Sequence, residues 1–149
     1  MMFRTHMAVS AFLILLFLPV VVHIWSFVII LLIAGLMPDV DMSQSFLGKY
    51  RILRPLQWFV KHRGFFHSLT FALIFTLIFM FYIPIIALPF FLGYTGHLLA
   101  DSLTSEGIRP FWPSKDEMRW KIKTNGKTEQ IIFYVLCFVN LLLLVRLFV

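Results

Sequence analysis

The chain alternates long apolar runs with short polar stretches. The first run extends from Met7 to Met37 and has His23 as its only ionisable side chain. As a single helix it would be roughly 46 Å long, whereas the apolar core of a bilayer is about 30 Å thick. Because Pro19 lies near the middle of the run, the pattern predicts two short helices, 4–18 and 24–37, joined by a tight turn. A signal peptide is the alternative, but another apolar segment follows at once, without a small-residue cleavage motif.

A second apolar run, 65–100, is also too long for one membrane span. We expect it to break at Pro84, since a proline disfavours helical backbone in the residue before it. This predicts helices over 65–82 and 85–103, and a last apolar run predicts a fifth helix over 130–149.

The composition supports a membrane location for these helices. Apolar and aromatic residues make up 60% of the chain and charged residues 13%, whereas soluble domains have about 45–50% and about 25%. These values exclude a disordered chain, a nucleic-acid-binding arm and a typical cytosolic enzyme. The single cysteine excludes a disulfide framework and a cysteine-based zinc site. We therefore expect one integral membrane domain, 1–149, with an all-α fold: a polytopic helix bundle of about five transmembrane helices whose first two form a hairpin.

The distribution of charge predicts the topology of this bundle. The loops 38–64 and 102–128, together with Arg4, carry all but one of the 13 lysines and arginines. The hairpin of helices three and four places both loops on one side, and the positive-inside rule makes that side cytoplasmic. The N-terminus is expected there as well, and the aromatic and basic stretch 109–123 is expected to lie at the membrane interface.

The acidic residues and four of the five histidines lie on this same side. His97 and Asp101 are four residues apart, which places them on one face of helix four. Ionisable side chains at membrane depth are costly and usually functional. Asp39 and Asp41 follow Pro38 at the end of helix two. Two carboxylates suit a divalent cation, although they could also simply end the helix in solvent.

Two more histidines flank an arginine and a glycine in the segment HRGFFHS. We expect His62 in the loop and His67 in the first turn of helix three, with Arg63 beside a helix N-terminus that could bind an anion. The alternative is a basic flank that anchors the helix to anionic lipid. His6 joins this group if the first run is a hairpin, and His23 lies in the opposite turn, where we assign it no role.

Histidine nitrogens combined with carboxylate oxygens are typical of zinc, manganese or iron hydrolase sites with one or two ions. Such an ion makes hydroxide available at neutral pH, and the basic surroundings favour an anionic substrate. Asp41 or Glu129 could act as general base, and Arg63 could hold developing negative charge. A lipid headgroup could reach a site at this depth. The candidate metal ligands are His6, Asp39, Asp41, His62, His67, His97 and Asp101.

The segments LMPDVD, SFLGKY, HRGFFHSL and GYTGHLLADSLTSEGI resemble the YdjM family of membrane-bound, metal-dependent hydrolases. His6, a later Phe-Trp-Pro and NGKTE extend the resemblance over nearly the whole chain. The resemblance implies a hydrolase in the cytoplasmic membrane of a prokaryote, with all seven candidate ligands on the family's polar positions and Arg63, Gly64, Ser68 and Glu129 matching as well. A fainter likeness to the zinc-dependent phospholipase C group favours a phosphodiester substrate.

The chain departs from the family pattern at three positions: Met42 replaces a frequent histidine, Phe66 a threonine and Gly96 a serine. These changes put one metal ligand and two supporting hydrogen bonds in doubt. We expect a membrane metal-dependent hydrolase that acts on a phospholipid or another membrane-borne phosphoester. Zinc is the expected metal, ahead of manganese and iron. The alternatives are a metal-ion transporter and a lipid-binding scaffold that has lost catalysis. Lipid is the expected partner, and nucleic acid is not expected.

Overall fold

The computed structural model describes residues 1–41 and 64–149, without the side chains of residues 40 and 41. This part of the chain contains five α-helices and no strand, which confirms the all-α prediction. Short 3₁₀ helices, Met37–Asp41 and Phe65–His67, follow the second helix and precede the third. The α-helices are α1 (Phe3–Phe17), α2 (Ile24–Leu36), α3 (Leu69–Tyr82), α4 (Pro84–Ser102) and α5 (Lys127–Arg146).

The helix boundaries follow the predicted breaks with two exceptions. The N-terminal pair ends and restarts around the Pro19 turn, and α4 begins at Pro84, as predicted. The third helix begins at Leu69, not at residue 65, because Ser68 is extended and its Oγ caps the helix by accepting from Phe71 N–H at 3.1 Å. The fifth helix begins three residues before residue 130, with Glu129 in its first turn, where a carboxylate complements the helix dipole.

Helix α4 lies at the centre of the bundle. It packs against α1, α2 and α3, while α5 packs on the outside of α1. Between α3 and α4 the core is aromatic: the ring of Phe71 lies 4.3 Å from that of Phe75 and 5.2 Å from that of Tyr94. The opposite side of α4 meets α2 through small residues, and this side carries the polar groups discussed below.

The contact of α2 with α4 depends on two glycines. A Cβ on Gly93 would lie 2.4 Å from the carbonyl oxygen of Leu31 and 3.0 Å from the backbone nitrogen of Gly35. A Cβ on Gly35 would lie 3.6 Å from the carbonyl oxygen of Gly93, and also 2.6 Å from Oγ of Ser10 on α1. Small residues at such contacts allow helix backbones to approach closely, as is common in membrane helix pairs. This approach brings the backbone of Gly35 next to α4.

Within residues 1–41 and 64–149, α5 is the one helix that is long and apolar enough to cross a membrane. Helices α1 and α3 are apolar but shorter; the 15 residues of α1 span about 22 Å. The described part of the chain therefore confirms the five predicted helices, whereas five membrane spans remain a prediction.

The segment between α4 and α5 folds back on itself through two isolated bridges, Thr104 with Ile122 and Ile108 with Met118. The hydrogen bond from Arg109 to Glu117, 2.8 Å long, holds the pKa of this exposed carboxyl below its usual range. The large aromatic side chains of the segment between α4 and α5 are exposed: Phe111, Trp112 and Trp120.

Candidate metal centre

Five of the predicted ligands come together at one end of the bundle. α1 contributes a histidine, α4 contributes a histidine and an aspartate, and the two 3₁₀ helices contribute one residue each. The three histidines and Asp101 are at most 3% exposed, and Asp39 is partly exposed. The five residues are His6, Asp39, His67, His97 and Asp101.

Asp101 is the common neighbour of the three imidazoles. Its Oδ1 lies 3.3 Å from Nε2 of His6, and its Oδ2 lies 3.7 Å from Nε2 of His97 and 3.9 Å from Nε2 of His67. The amino group of Met1 also contacts Oδ1. Asp39 approaches from the other side, with Oδ1 3.7 Å from Nε2 of His97. The buried carboxylate is thus surrounded by groups that can be cationic or can share a cation with it.

A backbone carbonyl determines the orientation of His97. Nδ1 of this ring lies 2.8 Å from the carbonyl oxygen of Gly35. Because a carbonyl oxygen can only accept, Nδ1 must carry the proton that is donated, and in the neutral ring Nε2 then presents a lone pair. Metal-binding histidines typically donate their second ring nitrogen in this way, which fixes the tautomer and the ring orientation.

Three buried nitrogens of the cluster have no hydrogen-bond partner among the described residues: Nδ1 and Nε2 of His6, and Nε2 of His97. The rings of His6 and His97 are stacked, with centroids 3.8 Å apart and planes 7° from parallel. A buried polar atom without a partner costs about 1–3 kcal/mol. In a neutral His6 ring one of the two nitrogens carries the proton and the other a lone pair. A cation could therefore satisfy Nε2 of His97 and one nitrogen of His6, and this would remove part of that cost.

The donor atoms have the spacing of a metal site. Two groups, His6 with Asp39 and His97, and His67 with His97 and Asp101, each have ligand atoms within 4.8 Å of one another. Ligands bound tetrahedrally to zinc at about 2.0–2.1 Å are roughly 3.3 Å apart. The nitrogen–oxygen distances of 3.3–3.9 Å are close to this value. The residues present therefore fit a divalent cation.

The two groups share His97, and this limits how many ions the described residues can bind. Nδ1 of His97 is occupied by the Gly35 carbonyl, so only Nε2 can bind an ion. One imidazole nitrogen has one lone pair and binds one ion. The described residues thus provide alternative ligands around a single position next to Nε2.

The turn that carries His67 is held in place by two neighbours. Tyr94 Oη of α4 donates to the carbonyl oxygen of Phe66, and the carbonyl oxygen of Pro110 accepts from Leu69 N–H at 2.8 Å. Sequence reasoning missed the roles of Tyr94 and of the Gly35 carbonyl. The small residues on facing apolar helices were the available signal for Gly35, because they are typical of close helix contacts.

Several predicted site residues cannot be placed. His62, Arg63 and Met42 lie outside the described residues, as does the side chain of Asp41. The other two positions that depart from the family pattern are described. The backbone carbonyl of Phe66 accepts a hydrogen bond from Tyr94 Oη. Gly96 faces α1, where a Cβ would lie 2.7 Å from Leu13 Cδ1. A serine at that position would therefore meet an apolar side chain.

Glu129, a predicted general base, has its carboxylate in contact with the N-terminal segment. Oε1 accepts from Met2 N–H at 2.6 Å and from Thr5 Oγ at 2.9 Å, and Oε2 accepts from Asn125 N–H at 2.6 Å. The side chain is buried and joins the start of α5 to the start of α1. These contacts position the segment that carries His6.

Glu129→Gln is expected to lower the free energy of unfolding by about 1–3 kcal/mol, because the amide would direct an N–H at a backbone donor and leave it unpaired. Unfolding in detergent measures this change, and amide exchange at residues 2–6 should become faster. Glu117→Gln is the control, because Glu117 is an exposed carboxylate whose ion pair with Arg109 is screened by solvent. It should lower the free energy of unfolding much less and leave amide exchange at residues 2–6 unchanged. Unaltered stability of Glu129→Gln would contradict the positioning role.

Comparisons with known proteins identify a family and several relatives of this chain. The model of the YdjM inner membrane protein family matches residues 1–148. Inner membrane protein YdjM of Escherichia coli (strain K12) is 37% identical over 118 residues, which cover 72% of this chain and 59% of the relative, and the protein of the same name from Shigella flexneri gives the same values. The uncharacterized protein YvsG of Bacillus subtilis (strain 168) is 36% identical over 106 residues, 67% of this chain and 66% of the relative.

The aligned region thus spans about three-fifths of the length of the E. coli protein. No solved structure matches the chain. The names of the E. coli and Shigella relatives agree with the membrane location predicted from the composition. With a family match over nearly its whole length, the chain belongs to the YdjM family of inner membrane proteins.

Proposed function

We propose that this protein is an integral membrane hydrolase that depends on a divalent metal and acts on a phospholipid or another membrane-borne phosphoester. The observation that carries the proposal is the buried cluster of three histidines and two aspartates, in which nitrogens of His6 and His97 have no hydrogen-bond partner among the described residues. Ionisable side chains buried together in a membrane protein are costly, and they usually mark a functional site.

Zinc is the proposed metal, with manganese or iron as alternatives, because the donors are imidazole nitrogens and carboxylate oxygens. When bound, such an ion supplies an activated water as nucleophile at neutral pH. His97, held by the Gly35 carbonyl, would be the fixed ligand, with Asp101 and His67 beside it. A second ion would require further ligands, for which His62 and Asp41 are the sequence candidates.

The anion-binding residue and the general base are assigned from the chemistry of their side chains. Arg63 would hold the anionic phosphoryl group through charge-assisted hydrogen bonds, and Asp41 would take a proton as general base. Glu129 remains an alternative base from the sequence, but its contacts favour a positioning role for the segment with His6. Each assignment can be tested separately by substitution.

The location and topology support access by lipid. Membership of an inner membrane protein family places the chain in that membrane. We further propose five membrane spans, with the N-terminus and the cluster on the cytoplasmic side, because the basic loops adjoin the same helix ends as the cluster. A headgroup of the inner leaflet would then lie at the depth of the site.

Elemental analysis of the purified protein tests the proposal. We expect one or two equivalents of zinc, manganese or iron in the wild type and loss of this metal in the double variant His67→Ala/His97→Ala. His23→Ala is the matched control, because His23 is exposed in the α1–α2 turn, and it should retain the metal. Phospholipids and phosphoesters would then be screened for hydrolysis with that metal.

A wild-type protein that contains no metal and takes up neither zinc nor manganese when these are added would overturn the proposed site. Equal loss of metal in His23→Ala would also contradict it, since that result would indicate binding outside the cluster.

A further inference from the structure

An apolar groove runs along the bundle beside the candidate metal centre. Three helices line it: α1 with Val9 and Leu13, α4 with Leu99, and α5 with Ile132 and Leu136. Its volume is about 390 Å³, within the range of roughly 300–1,000 Å³ that is usual for ligand sites. The groove is therefore large enough to hold part of a small molecule.

One end of the groove adjoins the cluster. Thr5 and Met1 line that end, Thr5 precedes His6, and the amino group of Met1 contacts Asp101. On α4 the lining residue Ala100 directly precedes Asp101. A molecule that lies in the groove therefore has one end beside the elements that carry the candidate ligands.

The occupant must be apolar over most of its length. The groove borders α5, the membrane-length helix, so hydrocarbon is the medium available to fill it. The two hydroxyls of the lining are already engaged, since Thr5 donates to Glu129 and Ser102 donates to the carbonyl oxygen of Leu99. A peptide segment would bring backbone groups that need partners inside a membrane, whereas a hydrocarbon chain brings none.

Two exposed basic side chains lie at the cluster end of the bundle, beside the groove. The carboxylates at this end already have partners, because Asp101 contacts the amino group of Met1 and Glu129 accepts from Met2, Thr5 and Asn125. The guanidinium carbon of Arg4 lies 5.4 Å from the centroid of the Phe133 ring, next to the lining residue Ile132. Lys127 begins α5 at the same end of the bundle, and its side chain is exposed. An apolar groove with exposed cations beside one end is complementary to an anionic amphiphile.

We propose that this groove binds one acyl chain of an anionic membrane phospholipid, with the headgroup at the cluster end. The proposal rests on the proposed function, because the lipid held in this way is the substrate of that site. Gly96 helps to keep the groove open: a Cβ there would lie 2.7 Å from Leu13 Cδ1 and would displace a side chain of the lining.

Photolabelling in nanodiscs tests the groove without requiring activity. The probe is phosphatidylglycerol with a diazirine in one acyl chain, and the crosslinked residues are mapped by mass spectrometry. We expect labels on the groove residues of α1, α4 and α5. Phosphatidylcholine with the same label should react less there, because its headgroup has no net charge to pair with Arg4 and Lys127.

Leu136→Trp is the variant that fills the groove, and we expect it to lose the groove labels. Val135→Trp is the matched control: Val135 is the adjacent residue of α5, is 55% exposed and lies outside the groove. It should keep the labels. Ile132→Trp is a second filling variant, to be used if Leu136→Trp proves unstable, and thermal unfolding in detergent followed by circular dichroism serves as the measure of an intact fold.

The outcomes separate this proposal from the one on which it rests. Labels spread evenly around α5 and unchanged by Leu136→Trp would overturn the groove, even if the protein binds metal and hydrolyses lipid. Groove labels that depend on Leu136, in a protein that contains no metal and takes up neither zinc nor manganese, would support the lipid site and overturn the hydrolase. Equal labelling by both lipids would overturn the anionic headgroup.

Discussion

Asp101→Asn is expected to abolish metal binding at the proposed site while the helices remain assembled. The Asp101 carboxylate lies within 3.9 Å of Nε2 of all three clustered histidines, so it is the residue that joins the cluster. Asparagine preserves the shape but removes the negative charge and one ligand oxygen. Since loss of a supporting residue around a metal already costs about 10–100-fold in affinity, loss of this ligand should cost at least as much.

Metal affinity measured by competition with a chelator checks this expectation. Asp116→Asn is the control, because Asp116 is an exposed loop carboxylate that accepts from Ser114 Oγ at 2.7 Å, and it should bind metal like the wild type. Unchanged affinity in Asp101→Asn would show that the cluster is not the binding site.

Gly93→Ala is expected to lower both stability and metal affinity, although residue 93 is not a candidate ligand. The new methyl group would lie 2.4 Å from the carbonyl oxygen of Leu31, and backbone cannot yield as a side chain can. Overpacking of this kind costs about 1–3 kcal/mol. Moving α2 away from α4 would also draw the Gly35 carbonyl from His97 Nδ1 and release that ring.

Gly96→Ala is the matched control for Gly93→Ala. It lies one turn further along α4, and its methyl group would meet only the far end of the Leu13 side chain, which can move. Unfolding in detergent and metal content should therefore change much more in Gly93→Ala. Equal behaviour of the two variants would contradict the role of the α2–α4 contact in orienting His97.

The sequence predicted much of this architecture because the relevant signals are local. Pro84 interrupts a helix through its own ring and its effect on Ile83, and it does so wherever the helix lies. The spacing of His97 and Asp101 places both on one face of any α-helix. The expectation that polar residues converge at one end followed from the order of apolar runs, and five of the seven candidate ligands lie together in the described part of the chain.

Features that depend on contacts between distant residues could not be predicted from these local sequence patterns. The start of α3 involves the cap by Ser68 and two contacts from distant segments: Tyr94 donates to the carbonyl oxygen of Phe66, and the Pro110 carbonyl accepts from Leu69 N–H. The contacts of Glu129 join residues more than 120 positions apart. The groove forms between three helices, and no single helix contains a pattern for it.

The sequence by itself determined the five α-helices of residues 1–41 and 64–149, most of their breaks and the end of the bundle at which the ionisable groups gather. Only the tertiary structure decided that His97 donates to Gly35, that Asp101 joins three histidines and that an apolar groove adjoins them. The physical reason is that hydrophobic periodicity describes one helix at a time. The rotation and depth of each helix against its neighbours are set by close contacts, such as that of Gly93 with Leu31, between residues far apart in the chain.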